Sequence, residues 1–413
     1  MGAPAARAAE LARHWAKAGH QVTVLTGFPN HPTGVVAAEY RSRFRRLVCR
    51  ETIDEAQVVR TWLMPLPNRK PWERMLNYTS FCVSCSVAGL FLQPPDVVIG
   101  SSPQLLVAVA AWWIARRYRV PFVFEVRDLW PESLVAVGMS SKRSTLHHTL
   151  QKIAAFLYRK ADHIVVVSPA FQDCLIQNWG VAAEKISVVE NGVESEVFAP
   201  QANRESLRRQ LKLQDKFVAA YVGTLGMAQG LEVLVEVARR LSDLHPKIML
   251  LLVGEGADSR RIKDLLRVRN LTNVRIMGQQ PRELIPAYIC ASDVCLVPLK
   301  KTELFKTVIP SKMLEFMACG RPVIVGVDGQ ARQIVEDAHA GIYVEPEDEC
   351  ELASAIVRLA GDEELGKELG RNGRRYVLKH FSRAQKAESY IGVLDRLLAS
   401  SGPRRLFELE PVS

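Results

Sequence analysis

The sequence has little that a metal ion or a covalent nucleophile would need. Its nine histidines are scattered. His147 and His148 are adjacent, His14, His20 and His31 are spread out, and none makes a metal-spaced cluster. Of eight cysteines, only Cys82 and Cys85 form a CxxC, in "SFCVSCSVAGLF", and no second pair completes a zinc site. No Ser/His/Asp or Cys/His nucleophile system can be argued. Zinc-finger and RNA-binding consensus patterns are missing, as is an aromatic-interleaved basic stripe, so nucleic acid is a weak candidate partner. The opening residues do not read as a secretory signal, and the scattered thiols predict a reduced, cytoplasmic protein. Long apolar runs are also missing. Leu76 to Leu92 carries no charge, but Asn77, Thr79, Ser80, Ser84 and Ser86 interrupt it, too polar a run for a confident membrane span.

What is present is a core and an uneven charge. The 413 residues, 48% hydrophobic and 24% charged, suit two or three globular domains. The net charge is +10. Residues 1–190 hold 22 Lys/Arg against 14 Asp/Glu, and residues 191–413 hold 32 against 30. A basic first half points to an anionic partner there, such as anionic lipid or a phosphorylated substrate.

Short Val- and Ile-rich runs alternate with helical patterns: "QVTVLT", "DVVIG", "PFVFEV", "HIVVVS" and "ISVVE", then "FVAAYVG", "IMLLLVG", "NVRIMG", "DVCLVP" and "RPVIVG". Continuous apolar strands separated by helices predict parallel sheets covered on both faces. A polar stretch, "ENGVESEVFAPQANRESLRRQLKLQDK", divides the two series. The expected fold is α/β, two doubly wound domains, residues 1–196 and 197–382, with 383–413 a helix returning to the first domain plus a flexible tail. Ligands of such sheets sit beyond the carboxyl ends of the strands, here a cleft between domains.

Four stretches could carry chemistry. In "ELFKTVIPSKMLEFMACGRPVIVG", Pro310 ends an extended piece, Ser311 can cap, and Lys312 adds charge to a helix N-terminus suited to anionic oxygen. Glu315, in the first turn, can accept hydrogen bonds from a sugar diol. An ordinary capped helix is the alternative. In "YVGTLGMAQGLE", Gly223, Gly226 and Gly230 shape a loop whose backbone N–H groups can approach phosphate. In "PFVFEVRDLWPES", Arg127 could hold phosphate and Asp128 could take a proton from an acceptor hydroxyl, or the two could simply fix a loop. The basic "RSRFRRLVCRE" and the apolar region up to residue 92 suit docking at a membrane interface, or a helix lying on the sheet.

Together these residues resemble the family 4 glycosyltransferases, which have the two-domain GT-B fold and use nucleotide-activated sugars. The resemblance covers nearly the whole chain and is carried by "GAPAAR", "HQVTVLTGFPNHPTG", "FEVRDLWPES", "VVENGV", "VGTLGMAQGLE", "LFKTVIPSKMLEFMACGRPVI" and "GRRYVLKHFS". The nearest branch looks like bacterial O-antigen and capsule enzymes that transfer N-acetyl-L-fucosamine or similar aminosugars to a lipid-linked acceptor. The resemblance implies a retaining, metal-independent transferase with no cofactor beyond a UDP-linked donor sugar. It would act in O-antigen, capsule or exopolysaccharide synthesis, peripherally on the inner face of the plasma membrane. Glu315 would bond the donor ribose. Ser311, Lys312, Lys306 and the loop with Gly223, Thr224 and Gly226 would hold the diphosphate. Gly278 and Gln279 would lie beside the base, and Gly2 and Ala3 would approach across the cleft. Arg127 or Asp128 occupies the neighbourhood where many relatives place an active-site His.

Two positions depart from the family. The usual Glu–seven residues–Glu signature has Thr307 at its first place and Glu315 at its second. The basic pair of many diphosphate loops is replaced by Met227 and Gln229, for which Lys306, Lys312 or Arg321 could compensate. The strand that usually precedes the "MGAPAAR" turn is missing, so the first domain is expected to show an unpaired strand edge or an apolar groove. A sugar-nucleotide epimerase of the same fold, or a non-catalytic nucleotide-sugar- or lipid-binding descendant, are the competing readings.

Overall fold

A computed structural model describes residues 3–30, 34–67, 71–136, 138, 144–200 and 204–400. The second half forms one parallel six-stranded sheet in the order β10–β9–β8–β11–β12–β13. Its strands are β8 (Phe217–Val222), β9 (Ile248–Val253), β10 (Val274–Ile276), β11 (Val294–Pro298), β12 (Val323–Gly326) and β13 (Gly341–Tyr343). The central strands are fully buried because helices cover both faces. The Glu232–Leu244 helix lays Leu234, Val235, Ala238 and Leu241 against one face. The Ser311–Ala318 helix lays Met313, Leu314, Phe316 and Met317 against the other.

The first half differs from the expected single parallel sheet. Its strands are β1 (Thr23–Gly27), β2 (Val48–Ile53), β3 (Ala56–Thr61), β4 (Val98–Ser101), β5 (Phe122–Val126), β6 (His163–Val166) and β7 (Ile186–Val188). They form two sheets, β1–β3–β2 and β4–β5–β6–β7. Among the described residues β1 pairs only with β3, and β4 only with β5, so each has an unpaired edge. β2 and β3 were not expected as strands, and they pair antiparallel through a tight hairpin. Helices Pro71–Gly89 and Leu105–Tyr118 bridge the two sheets, with Leu63, Phe81, Cys85 and Ala110 in one small core.

The Arg383–Ser400 helix crosses back onto the first half. Tyr390 is buried and meets Trp15 edge-to-face at 5.2 Å, while Trp15 Nε1 donates to Ala387 O at 3.0 Å. The crossover is tied where Val193 N donates to Phe381 O (2.8 Å) and Arg383 N donates to Val193 O (3.0 Å). Gly192 is required there, since a Cβ would lie 2.8 Å from Arg383 Cα. The halves meet beyond the carboxyl ends of their strands, at the segments that follow β6, β10 and β11. Ser168 Oγ donates to Thr307 O (2.8 Å) between the halves.

Candidate active site

The second-half wall of the cleft begins where β8 ends at Gly223. The loop after it is held by the loop after β9. Gly223 N donates to Val253 O (2.9 Å), Leu225 N to Glu255 O (3.1 Å) and Asp258 N to Leu225 O (2.9 Å). This contact has no room for side chains: a Cβ on Gly254 would sit 1.9 Å from Gly223 O, and one on Gly256 would sit 2.2 Å from Leu225 O. Gly254→Ala is therefore expected to displace the 223–226 loop and, with this loop holding the diphosphate as the resemblance implies, to weaken UDP binding by about tenfold or more. Titration calorimetry against UDP checks this.

Lys312 lies over that loop. Its Nζ donates to Tyr221 Oη at 2.9 Å and stands 4.2 Å from the ring centroid. Tyr221 Oη in turn donates to Thr224 O at 2.6 Å, so one phenol ties the ammonium to the loop backbone. Ser311 is the first residue of the helix; Pro310 is the cap and no side chain bonds the freed N–H groups. The expected serine cap is therefore corrected; Met313 N donates to Pro310 O (3.0 Å), and the N–H groups of Ser311 and Lys312 stay available at this wall. Glu315 follows one turn later. Burial pushes Lys312 down to about 7, with Glu315 opposing. Burial likewise pushes Glu315 up to about 7; Arg282, Arg383 and Lys312 oppose, and Glu10 adds to it.

The first-half wall is organised by groups that no local pattern announced. Arg7 is buried and engages this wall with all three of its nitrogens: Nε on Glu125 Oε1 (2.9 Å), Nη1 on Glu190 O (2.9 Å) and Asn191 Oδ1 (3.1 Å), Nη2 on Val189 O (3.0 Å). Ser101 Oγ donates to the other Glu125 oxygen at 2.8 Å. Burial works against the Glu125 charge, and Arg7 and Arg127 overcome it, holding the carboxyl below its usual value. Glu10 bridges the two halves. It accepts from Arg383 Nε at 2.8 Å and from Arg282 of the second half. A charged residue inside an apolar strand run, Glu125 in "PFVFEV", was the one signal that could have revealed this network. Tyr221 read simply as strand core.

The structure brings Gly223, Thr224, Gly226, Ser311, Lys312 and Glu315 to one wall. Gly278 joins their edge, its carbonyl accepting from Gly254 N at 2.8 Å, and Gln279 is exposed beside it. Lys306 is half-exposed and held by Glu303 at 2.8 Å, with Asp328 at 3.9 Å. Arg321 follows the far end of the Lys312 helix and donates to Ser292 O at 3.2 Å, so it cannot compensate at the diphosphate loop. Gln229 Oε1 accepts from Gly226 N at 3.1 Å and acts as a loop brace. Thr307 Oγ1 donates to Leu304 O (2.7 Å), while the Thr307 carbonyl accepts from Ser168 Oγ and so makes this position part of the contact between halves. Asp128 is engaged by Ser133 Oγ and by Trp130 Nε1 (3.3 Å), and burial pushes its carboxyl up. Arg127 N and Asp128 N both donate to Ser102 Oγ, at 2.8 and 3.2 Å. Gly2 lies outside the described residues, as do the side-chain surroundings of Ala3.

Two family models match, one to each half. Residues 2–192 match the glycosyl transferase 4-like domain, and residues 203–376 match glycosyl transferases group 1. The chain belongs to the GT-B glycosyltransferases. Among its relatives is WcaI of Escherichia coli strain K12, named for colanic acid biosynthesis, 28% identical over 84% of this chain and 86% of WcaI. The transferase also superposes on sucrose-phosphate synthase of Thermosynechococcus elongatus, with a TM-score of 0.75, 24% identity and coverage of 95% and 92%. Anabaena HepE, solved with UDP-glucose, superposes with a TM-score of 0.71, 18% identity and coverage of 96% of both chains.

Proposed function

We propose that this transferase moves a sugar, an N-acetylated aminosugar, from a UDP-linked donor to a lipid-linked saccharide during bacterial surface polysaccharide synthesis. The observation that carries the reading is Lys312, poised by Tyr221 over the glycine-shaped 223–226 loop with Glu315 one turn away. The name of WcaI and the UDP-glucose held by HepE support it.

In this reading the loop N–H groups and the first turn of the Lys312 helix receive the diphosphate. Glu315 accepts hydrogen bonds from the ribose hydroxyls, and Gly278 and Gln279 lie beside the base. As the bond from the sugar C1 to the diphosphate oxygen breaks, negative charge gathers on that oxygen, and Lys312 and the N–H groups stabilise it. The acceptor hydroxyl attacks C1 from the same face, and its proton passes to the departing diphosphate. Configuration at C1 is retained, and no metal or other cofactor takes part. The first half, with Arg127 and Asp128 at the cleft, positions the acceptor at the inner membrane surface. A binding screen of nucleotide sugars, beginning with UDP-N-acetyl aminosugars, tests the donor. The anomeric proton coupling of the product should match that of the donor; an inverted product would reject the proposed step.

A further inference from the structure

The end of the first half opposite the cleft holds a cavity of about 610 Å³. It lies between the ends of helices Leu105–Tyr118 and Thr145–Lys160 and the start of β5, and Trp112, Arg116, Arg119, Lys160 and Asp162 are among its lining residues. Three cations face one carboxylate, and Asp162 Oδ2 already accepts from Phe122 N at 2.7 Å. Arg119 is the left-handed cap of its helix, at φ +54, a position glycine fills most easily.

The cavity adjoins an uncovered apolar stripe. On the Pro71–Gly89 helix, Trp72 and Leu76, then Val83 and Val87, are exposed on one face with the polar Thr79 between the two pairs, and Leu90 and Phe91 continue just beyond it. Phe91 is 74% exposed. Tyr118, beside Arg119, donates to Gly89 O (3.0 Å) and Leu92 O (2.8 Å), which fixes the stripe's end to the helix that lines the cavity. On that helix Trp113, 49% exposed, lies between the residues that meet the stripe's helix and those lining the cavity. No helix among the described residues is long and apolar enough to cross a membrane.

We propose that the cavity binds the phosphate headgroup of an anionic phospholipid while the apolar stripe and Trp113 lie in the membrane interface. Positive charge beside an exposed aromatic and aliphatic ridge is the chemistry that recognises such a surface. The inference rests on the membrane part of the proposed function and gives it a location.

The test is sedimentation of the whole chain with phosphatidylcholine vesicles, with or without a third of phosphatidylglycerol. Arg116→Ala/Lys160→Ala should weaken binding to the anionic vesicles roughly tenfold. Arg260→Ala/Arg267→Ala, which removes equal charge from the second half, should leave it unchanged. Val83→Asn/Val87→Asn should weaken it too. Equal losses in both arginine-containing pairs, or no loss in the cavity pair, would overturn the assignment. So would saturable binding of glycerol 1-phosphate at the cavity without vesicle binding, which would mark a site for a soluble phosphate. UDP binding, followed on the same samples, should be unchanged in every variant. Its absence from the wild-type chain would count against the donor reading, not against this one.

Discussion

Lys312→Ala is expected to lower kcat/KM for sugar transfer by about 100- to 1000-fold, the range seen when one preorganised group at a developing oxyanion is removed. The fall should lie mainly in kcat, because in the proposed reaction the charge that Lys312 meets grows as the diphosphate leaves. The ammonium is half-buried, and its hydrogen-bond acceptor is a neutral phenol. Burial has pushed its titration down to about 7. Bound diphosphate favours the charged form, so donor binding takes up a proton. The sign follows: affinity is greatest below pH 7 and falls as the pH rises through about 7, where the free lysine becomes neutral. Glu315 titrates over the same window, being pushed up to about 7. The pH slope that survives in Glu315→Gln therefore belongs to Lys312, and it should disappear in Lys312→Arg, whose side chain stays charged. Tyr221→Phe should keep the slope but lower kcat, since the lysine loses its tether to the loop.

Arg7→Ala has the second largest expected effect, on stability. It leaves Glu125 charged and buried, and strips the donors from the carbonyls of Val189 and Glu190. Breaking a buried pair in this way costs about 3–5 kcal/mol. In a domain of this size that corresponds to a lowering of the first half's melting transition by roughly 10 °C. Arg7→Ala/Glu125→Gln should be less damaging than Arg7→Ala alone, because the stranded charge is gone. Scanning calorimetry separates the outcomes; an unchanged transition in Arg7→Ala would show that the network is not needed for the fold.

The fold was readable where burial is complete. β8, β9, β11 and β12 are covered on both faces, so their sequences are unbroken apolar runs. The β2–β3 hairpin was not readable for a specific reason. Its two turn residues, Asp54 and Glu55, have φ of +48 and +67, yet the sequence offers "DE" where Asn-Gly or Asp-Gly would signal such a turn. β2 is also largely exposed and carries Arg50 and Glu51, so it reads as a charged surface stretch.

The site was legible in the same uneven way. Lys312, Glu315 and the 223–230 glycines stand close in sequence to the turns they serve, so their local pattern shows. Arg7 and Glu125 are 118 residues apart, and Glu10 meets Arg282 and Arg383 across the whole chain. Only the fold brings such pairs together. Lys306 is near the site in sequence, but its partners in the fold, Glu303 and Asp328, are set by the loops around it.

Every step of the proposed reaction depends on the diphosphate meeting Lys312. Calorimetric titration of UDP at pH 8, in buffers of different ionisation enthalpy, measures this directly. It should show uptake approaching one proton per UDP bound by the wild-type chain and none by Lys312→Arg. Binding without proton uptake, and of equal strength in Lys312→Ala, would contradict it.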